Sequence, residues 1–184
     1  MKIPIVNEQD EVIGEEERSI IHQKGLLHRE AHVCFVAPDG KIIFQKRGLN
    51  KETYPGLLDL TVGGHVDFAN DSYEGTAERE AIEETGVNVA GKLIPVEKIR
   101  SESYDKVTHL TNNRFTTLFA YLFTEDIKDL KLEDEEALGF ESYSIDQLEN
   151  LSETEKKNFI GKVISPEFIT LYKKIISLTH ENQS

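Results

Sequence analysis

The chain has 184 residues and a mass of 20.9 kDa, enough for one domain with a buried core but not comfortably for two, and it is read as a single domain over residues 1–184. Its 34 acids against 21 bases give a formal charge of −13, which excludes a nucleic-acid polymer as the main partner, because neutralising phosphates needs a basic footprint. No run approaches the roughly 18 apolar residues of a membrane span, and Met1-Lys2-Ile3-Pro4 opens no secretory apolar region, so a cytoplasmic protein with no membrane partner is expected.

In chain order, residues 3–6 and 11–13 flank a polar Asn7-Glu8-Gln9-Asp10 turn and predict a small hairpin, followed by a short helix ending near Gly25. Residues 31–37 and 41–46 are apolar or alternating runs joined by Pro38-Asp39-Gly40, the clearest hairpin signal in the chain. The lone Cys34 falls in the first of these runs and is read as a core thiol. Residues 57–62 form another short strand that runs into Gly63-Gly64. Residues 71–84 switch to a helical pattern: Asp71 or Ser72 can cap it, Tyr73, Ala77 and Ala81 recur at spacing four, and Gly86 stands at its end. Strand-like runs follow near 88–94 and 115–123. The tail predicts a helix over about 165–179, with Ser165 as cap, Pro166 in its first turn and an apolar stripe of Phe168, Ile169, Tyr172, Ile175 and Ile176. Mixed strands and helices define an α/β or α+β layered domain.

The acids cluster. Six fall in residues 8–17, six in 71–84 and ten in 125–150. On the predicted helix Glu80, Glu83 and Glu84 stand at i, i+3 and i+4 and project from one face. Like charges at that spacing repel, so the triplet either faces open water or holds a cation. Oxygen ligands favour Mg²⁺ or Mn²⁺ over zinc, and the glycine pair lets the backbone approach a metal or phosphate closely.

The stretch from Gly63 to Val87, with Arg79-Glu80-Ala81-Ile82-Glu83-Glu84-Thr85-Gly86-Val87 at its end, closely resembles the signature box of the Nudix hydrolases, here spanning about 64–87. The resemblance implies an α/β/α sandwich with a mixed sheet and a catalytic loop-helix-loop, and hydrolysis of a diphosphate linkage in a nucleoside diphosphate joined to a second moiety. It also implies a Mg²⁺ or Mn²⁺ cofactor on Glu80, Glu83, Glu84 and the Gly64 carbonyl, and an Arg79 that orients the carboxylates. The first half of the box departs from the pattern: Asp71 stands where the family has glutamate, and the loop before it is one residue longer. Asp71 can still cap the helix or hydrogen-bond Arg79. A catalytically weak or inactive nucleotide-binding module is therefore the alternative.

Residues 5–150 are further similar to the Nudix subgroup that includes isopentenyl-diphosphate isomerase. By that resemblance Arg47 and Lys51 fall on diphosphate-holding positions. The isomerase's proton-moving cysteine and glutamate are missing, since Gly63 and Asn112-Asn113-Arg114 stand there, and isomerase activity is not expected. Histidines bind a metal in that enzyme; here His22, His28 and His65 are read as hydrogen-bonding residues instead. Glu136 falls on the family's late-loop position for a general base. The partner is a small-molecule diphosphate, and the sequence leaves the oligomeric state open, with a homodimer the usual arrangement.

Overall fold

The structure is a computed structural model that describes residues 2–51, 53–106, 108–133 and 137–181. Strands β1 (Lys2–Val6) and β2 (Val12–Glu17) form an antiparallel hairpin with Asp10 in its turn. Helix α1 (Arg18–Lys24) follows and stops at Gly25, whose φ of 64° is the left-handed conformation that a Cβ resists. Strand β3 (His28–Val36) is the centre of the sheet. It pairs in parallel with β8 (Thr111–Leu122) from His28↔Arg114 to Val36↔Leu122, and β8 pairs antiparallel with β7 (Ile94–Tyr104).

On its other side β3 meets two strands in succession. Strand β6 (Val62–His65) lies opposite Glu30–Val33, and β4 (Ile42–Arg47) lies opposite Phe35 and Val36. Strand β4 pairs in turn with β5 (Leu58–Leu60) and β9 (Ala137–Tyr143). The run 57–62, expected as one strand, is thus two strands with different partners. Thr61 marks the break: its hydroxyl accepts from the Phe35 amide at 3.0 Å and donates to the Ile43 carbonyl at 2.5 Å. The strand expected near 88–94 begins only at Ile94, because the Asn88 side chain accepts from the Ala90 amide and closes a turn there.

Strand alternation sorts β3 into two faces. Ala31, Val33 and Phe35 pack with Ile43 and Val62 against Ala77 and Ala81 of α2 (Tyr73–Thr85). Cys34 and Val36 pack with Ile42, Phe44 and Leu118 against Phe168, Tyr172 and Ile175 of α5 (Pro166–Glu181). The fully buried Cys34 thiol is pushed up in pKa by desolvation, as an inert core position requires. Each large apolar side chain in these layers contributes about 1.5–3 kcal/mol by burial. The short helices α3 (Ile145–Glu149) and α4 (Glu153–Lys156), each opened by a serine capping box, carry the chain from β9 towards α5. The result is the expected sandwich, a mixed sheet between a layer holding α2 and a layer holding α5.

Candidate active site

Of the two candidate caps of α2, Ser72 takes the role, its Oγ accepting from the Gly75 amide at 2.9 Å. The helix closes at Gly86, whose amide donates to the Ile82 carbonyl from a left-handed conformation with φ 72°. Arg79 does not hydrogen-bond Asp71. Its Nη2 donates to Asp67 Oδ2 at 2.8 Å, and its Nη1 lies 2.8 Å from Glu80 Oε1 and 3.3 Å from Glu83 Oε2. The longer loop is thus absorbed by Asp67 and Ser72, one on either side of it.

Glu80 and Glu84 turn inward at the end of β6, while Glu83 stays half exposed on the Arg79 side. A Cβ on Gly64 would come within 2.5 Å of Glu80 Oε1, so only glycine leaves room for that carboxylate. A Cβ on Gly63 would meet the His32 ring at 2.7 Å. Glu84 is buried and accepts from Gln45 Nε2 at 3.1 Å and from the Gly63 backbone. Burial and the neighbouring Glu80 push Glu84 up to about 8. Burial pushes Glu80 up to about 7, with Glu83 and Asp67 adding to the rise and Arg79 opposing it. Two desolvated carboxylates side by side lack enough positive charge within the chain to stay ionised near neutrality. A hard divalent cation would supply that charge, and this oxygen donor set fits one.

Beyond the glycine pair a cavity opens on the α5 side of the sheet. Glu84, Gly63 and Gly64 line one end of it, and five cations contribute to its walls: Arg18, Arg47, Lys51, Arg114 and Lys162. Arg47 donates to Asp59 Oδ2 at 3.2 Å and to the Thr53 carbonyl at 2.9 Å, which ties the loop after β4 across the cavity wall. Lys51 is half buried, and desolvation lowers its pKa against the pull of Glu84. Both residues expected at the diphosphate therefore face the cavity that Glu84 enters.

The floor contains residues that the sequence reading passed over. Glu30 is buried on β3, 3.0 Å from His32 Nε2, 3.6 Å from His28 Nε2, 3.5 Å from His65 Nε2 and 2.8 Å from Arg114 Nη1. Burial raises its pKa, but Arg114 and the histidines outweigh that and hold the carboxyl well below the usual range. His65 is held well below an ordinary histidine, chiefly by desolvation, and is neutral at pH 7. The signal lay in alternation: His28, Glu30 and His32 occupy every second position at the start of an apolar strand. His28 Nδ1 lies 3.0 Å from the Leu26 carbonyl oxygen and His22 Nε2 lies 3.2 Å from His65 Nε2, as expected of hydrogen-bonding residues, and His22, His28 and His65 also form a cluster whose ligand atoms all lie within 4.8 Å of one another. Imidazoles at that spacing could form a second donor set, suited to a metal with nitrogen preference. Glu136 lies outside the described residues.

This architecture and helix are those of a known hydrolase class. Residues 26–165 match the NUDIX domain, and the chain belongs to that family, whose enzymes act on pyrophosphate bonds. It is 29% identical over 150 residues to a Nudix hydrolase of Clostridium acetobutylicum, a match covering 79% of this chain and 71% of that protein. It is 39% identical over 85 residues to the Nudix hydrolase YfcD of Escherichia coli (strain K12), where the match spans 46% of this chain and 47% of the relative. Among solved structures, DR0079 from Deinococcus radiodurans superposes with a TM-score of 0.70 at 18% identity, covering 95% of this chain and 99% of that one. The NUDIX domain of Shewanella oneidensis NrtR, complexed with ADP ribose, superposes with a TM-score of 0.54 at 14% identity, covering 86% and 89%. Among the described residues, no helix is long and apolar enough to cross a membrane.

Proposed function

We propose that the chain is a divalent-metal-dependent hydrolase that cleaves the diphosphate linkage of a nucleoside diphosphate joined to a second group. One observation carries this reading: the buried Glu84 and the partly buried Glu80 have carboxyls held above the usual carboxylate range beside a glycine pair that opens onto a cation-lined cavity. Glu80, Glu83, Glu84 and the Gly64 carbonyl would hold Mg²⁺ or Mn²⁺, which when bound neutralises phosphate charge and lowers the pKa of a bound water. Arg79 orients Glu80 and Glu83 through its bonds to both. Lys51 and Arg47 meet the diphosphate from the opposite wall and offset its charge. Glu136 is the proposed general base on the strength of its sequence position. The ADP ribose bound by the NrtR domain is the kind of compound this cavity would take. The isomerase alternative loses further ground, because a cysteine at position 63 would need the His32 ring to move.

The test is a hydrolysis screen with Mg²⁺ or Mn²⁺ over nucleoside di- and triphosphates, dinucleotide cofactors and nucleotide sugars, reading release of phosphate or nucleoside monophosphate. Turnover that drops at least ~100-fold in Glu83→Gln and Glu84→Gln supports the assignment. Turnover unchanged in both variants overturns the site, and binding without turnover across the whole panel identifies a nucleotide-binding module instead.

A further inference from the structure

The cavity has a second polar end that the proposed chemistry does not use. Along β8, Arg114, Thr116 and Leu118 face the same side as Glu30 and His32 of β3, and Ser101 of β7 lies directly opposite Arg114. Arg114 engages Glu30 through Nη1, but its Nε is buried without a hydrogen-bond partner, and so is Thr116 Oγ1. Lys162 reaches into the same end from the segment before α5. Its ammonium donates to Ser101 Oγ at 3.0 Å, stands 5.7 Å from the centre of the Phe168 ring, and forms no ion pair with a carboxylate among the described residues. Burial lowers the Lys162 pKa and the adjacent Arg114 adds to that, while Glu30 and Asp59 pull the other way. Arg114, Thr116 and Lys162 all line the cavity, and although Glu30 offsets one of the two cations, the second cation and the unpartnered Arg114 Nε and Thr116 Oγ1 make an environment that an anion would relieve.

The spacing is set by the sheet. Gly64 and Gly63 on β6 are separated from Thr117 and Leu118 on β8 by β3 alone, and His65 from Thr116; two strand spacings are about 10 Å. The second moiety of a diphosphate held at the glycine pair would extend across β3 toward Arg114 and Lys162. Lys162, Ile99 and Phe168 also line an outer groove between β7 and α5, so Lys162 stands between the cavity and that groove.

We propose that Arg114, Thr116 and Lys162 form a subsite for a phosphate or carboxylate carried on the second moiety of the substrate, two strands across the sheet from the glycine pair. The inference rests on the diphosphate reading above for where the substrate's first end sits. It selects compounds with an additional anionic group over otherwise identical neutral ones.

The experiment is a binding titration in Mg²⁺ with probe pairs that differ by one such group, UDP-glucuronate against UDP-glucose and NADPH against NADH, with product formation followed in parallel. In the wild type at least one charged member is expected to bind about tenfold more tightly than its neutral counterpart, the effect of one charge-assisted contact. Lys162→Met should bring the members of that pair within twofold while leaving the neutral member's affinity unchanged, and Lys162→Arg should retain the preference. Lys162 is the residue to change because it is half buried and, among the described residues, its ammonium hydrogen-bonds only the Ser101 hydroxyl, whereas replacing Arg114 would strand Glu30. Equal affinities in both pairs, no binding of any probe, or a preference that survives Lys162→Met overturns the subsite. A charged-member preference without hydrolysis leaves the subsite standing and counts against the hydrolase reading. Hydrolysis without preference does the reverse.

Discussion

Glu30 and Glu84 are both buried glutamates lining one cavity, and the protein holds them in opposite protonation tendencies. Glu30 sits among Arg114, His28, His32 and His65, and its carboxyl is held well below the usual range despite complete burial. Glu84 sits beside the partly buried Glu80, and its carboxyl rises to about 8. The difference lies in the neighbours, not the residue type or the burial. Glu30 has its counter-charge in direct contact; Glu80 and Glu84 have Arg79 and Lys51 nearby, yet these do not offset burial, which leaves their end of the cavity short of positive charge.

The comparison can be broken at several points. Arg114→Met removes the guanidinium from buried Glu30 and should cost about 3–5 kcal/mol of unfolding free energy in denaturant titrations, whereas a loss under about 1 kcal/mol would show that the histidines suffice. Glu84→Gln should do the opposite to stability while lowering metal-dependent hydrolysis at least ~100-fold. The sign follows from linkage: Glu84 rises from 4.5 in the unfolded chain to about 8 when folded, so its contribution is present below pH 4.5 and is lost as pH climbs to about 8. Metal-free wild type should therefore weaken across that window, and Glu84→Gln should flatten the decline. Glu30 works the other way. Its contribution is present above pH 4.5 and is lost on the acid side as pH falls through its depressed folded value. Gly64→Ala displaces the Glu80 carboxylate and should lower turnover by roughly 10–100-fold, as loss of ligand positioning does, with little change in melting temperature. Glu8→Gln breaks an exposed pair with Arg100, and thermal melts should show no measurable change.

Much of the helix half was readable from the chain, because caps, glycine stops and carboxylate spacing are local. Ser72, Gly86, Ser165 and the 80/83/84 triplet each act within a few residues. The strands were harder. Residues 57–62 read as one strand because nothing in them signals that Thr61 bonds across to both Phe35 and Ile43. Glu30 was missed for the same reason: its main partner, Arg114, lies 84 residues later. The acids of residues 8–17, unexplained by pattern, prove partly structural. Asp10 binds Arg29, Lys98 and the Tyr73 hydroxyl, and Glu8 binds Arg100, pinning the N-terminal hairpin to the start of α2 and to β7.

The glycine pair at the end of β6 has a consequence for how this protein can change. Helix α2 packs on one face of the sheet, yet Glu84 reaches the cavity on the other, so Gly63 and Gly64 act as a window through the sheet. Carboxylates come from one layer, while much of the selectivity wall, Lys162 and Phe168 included, comes from the opposite one. Substitutions on the α5 side can therefore redraw the set of molecules admitted without disturbing the packing that aims the glutamates. The two properties are free to drift apart.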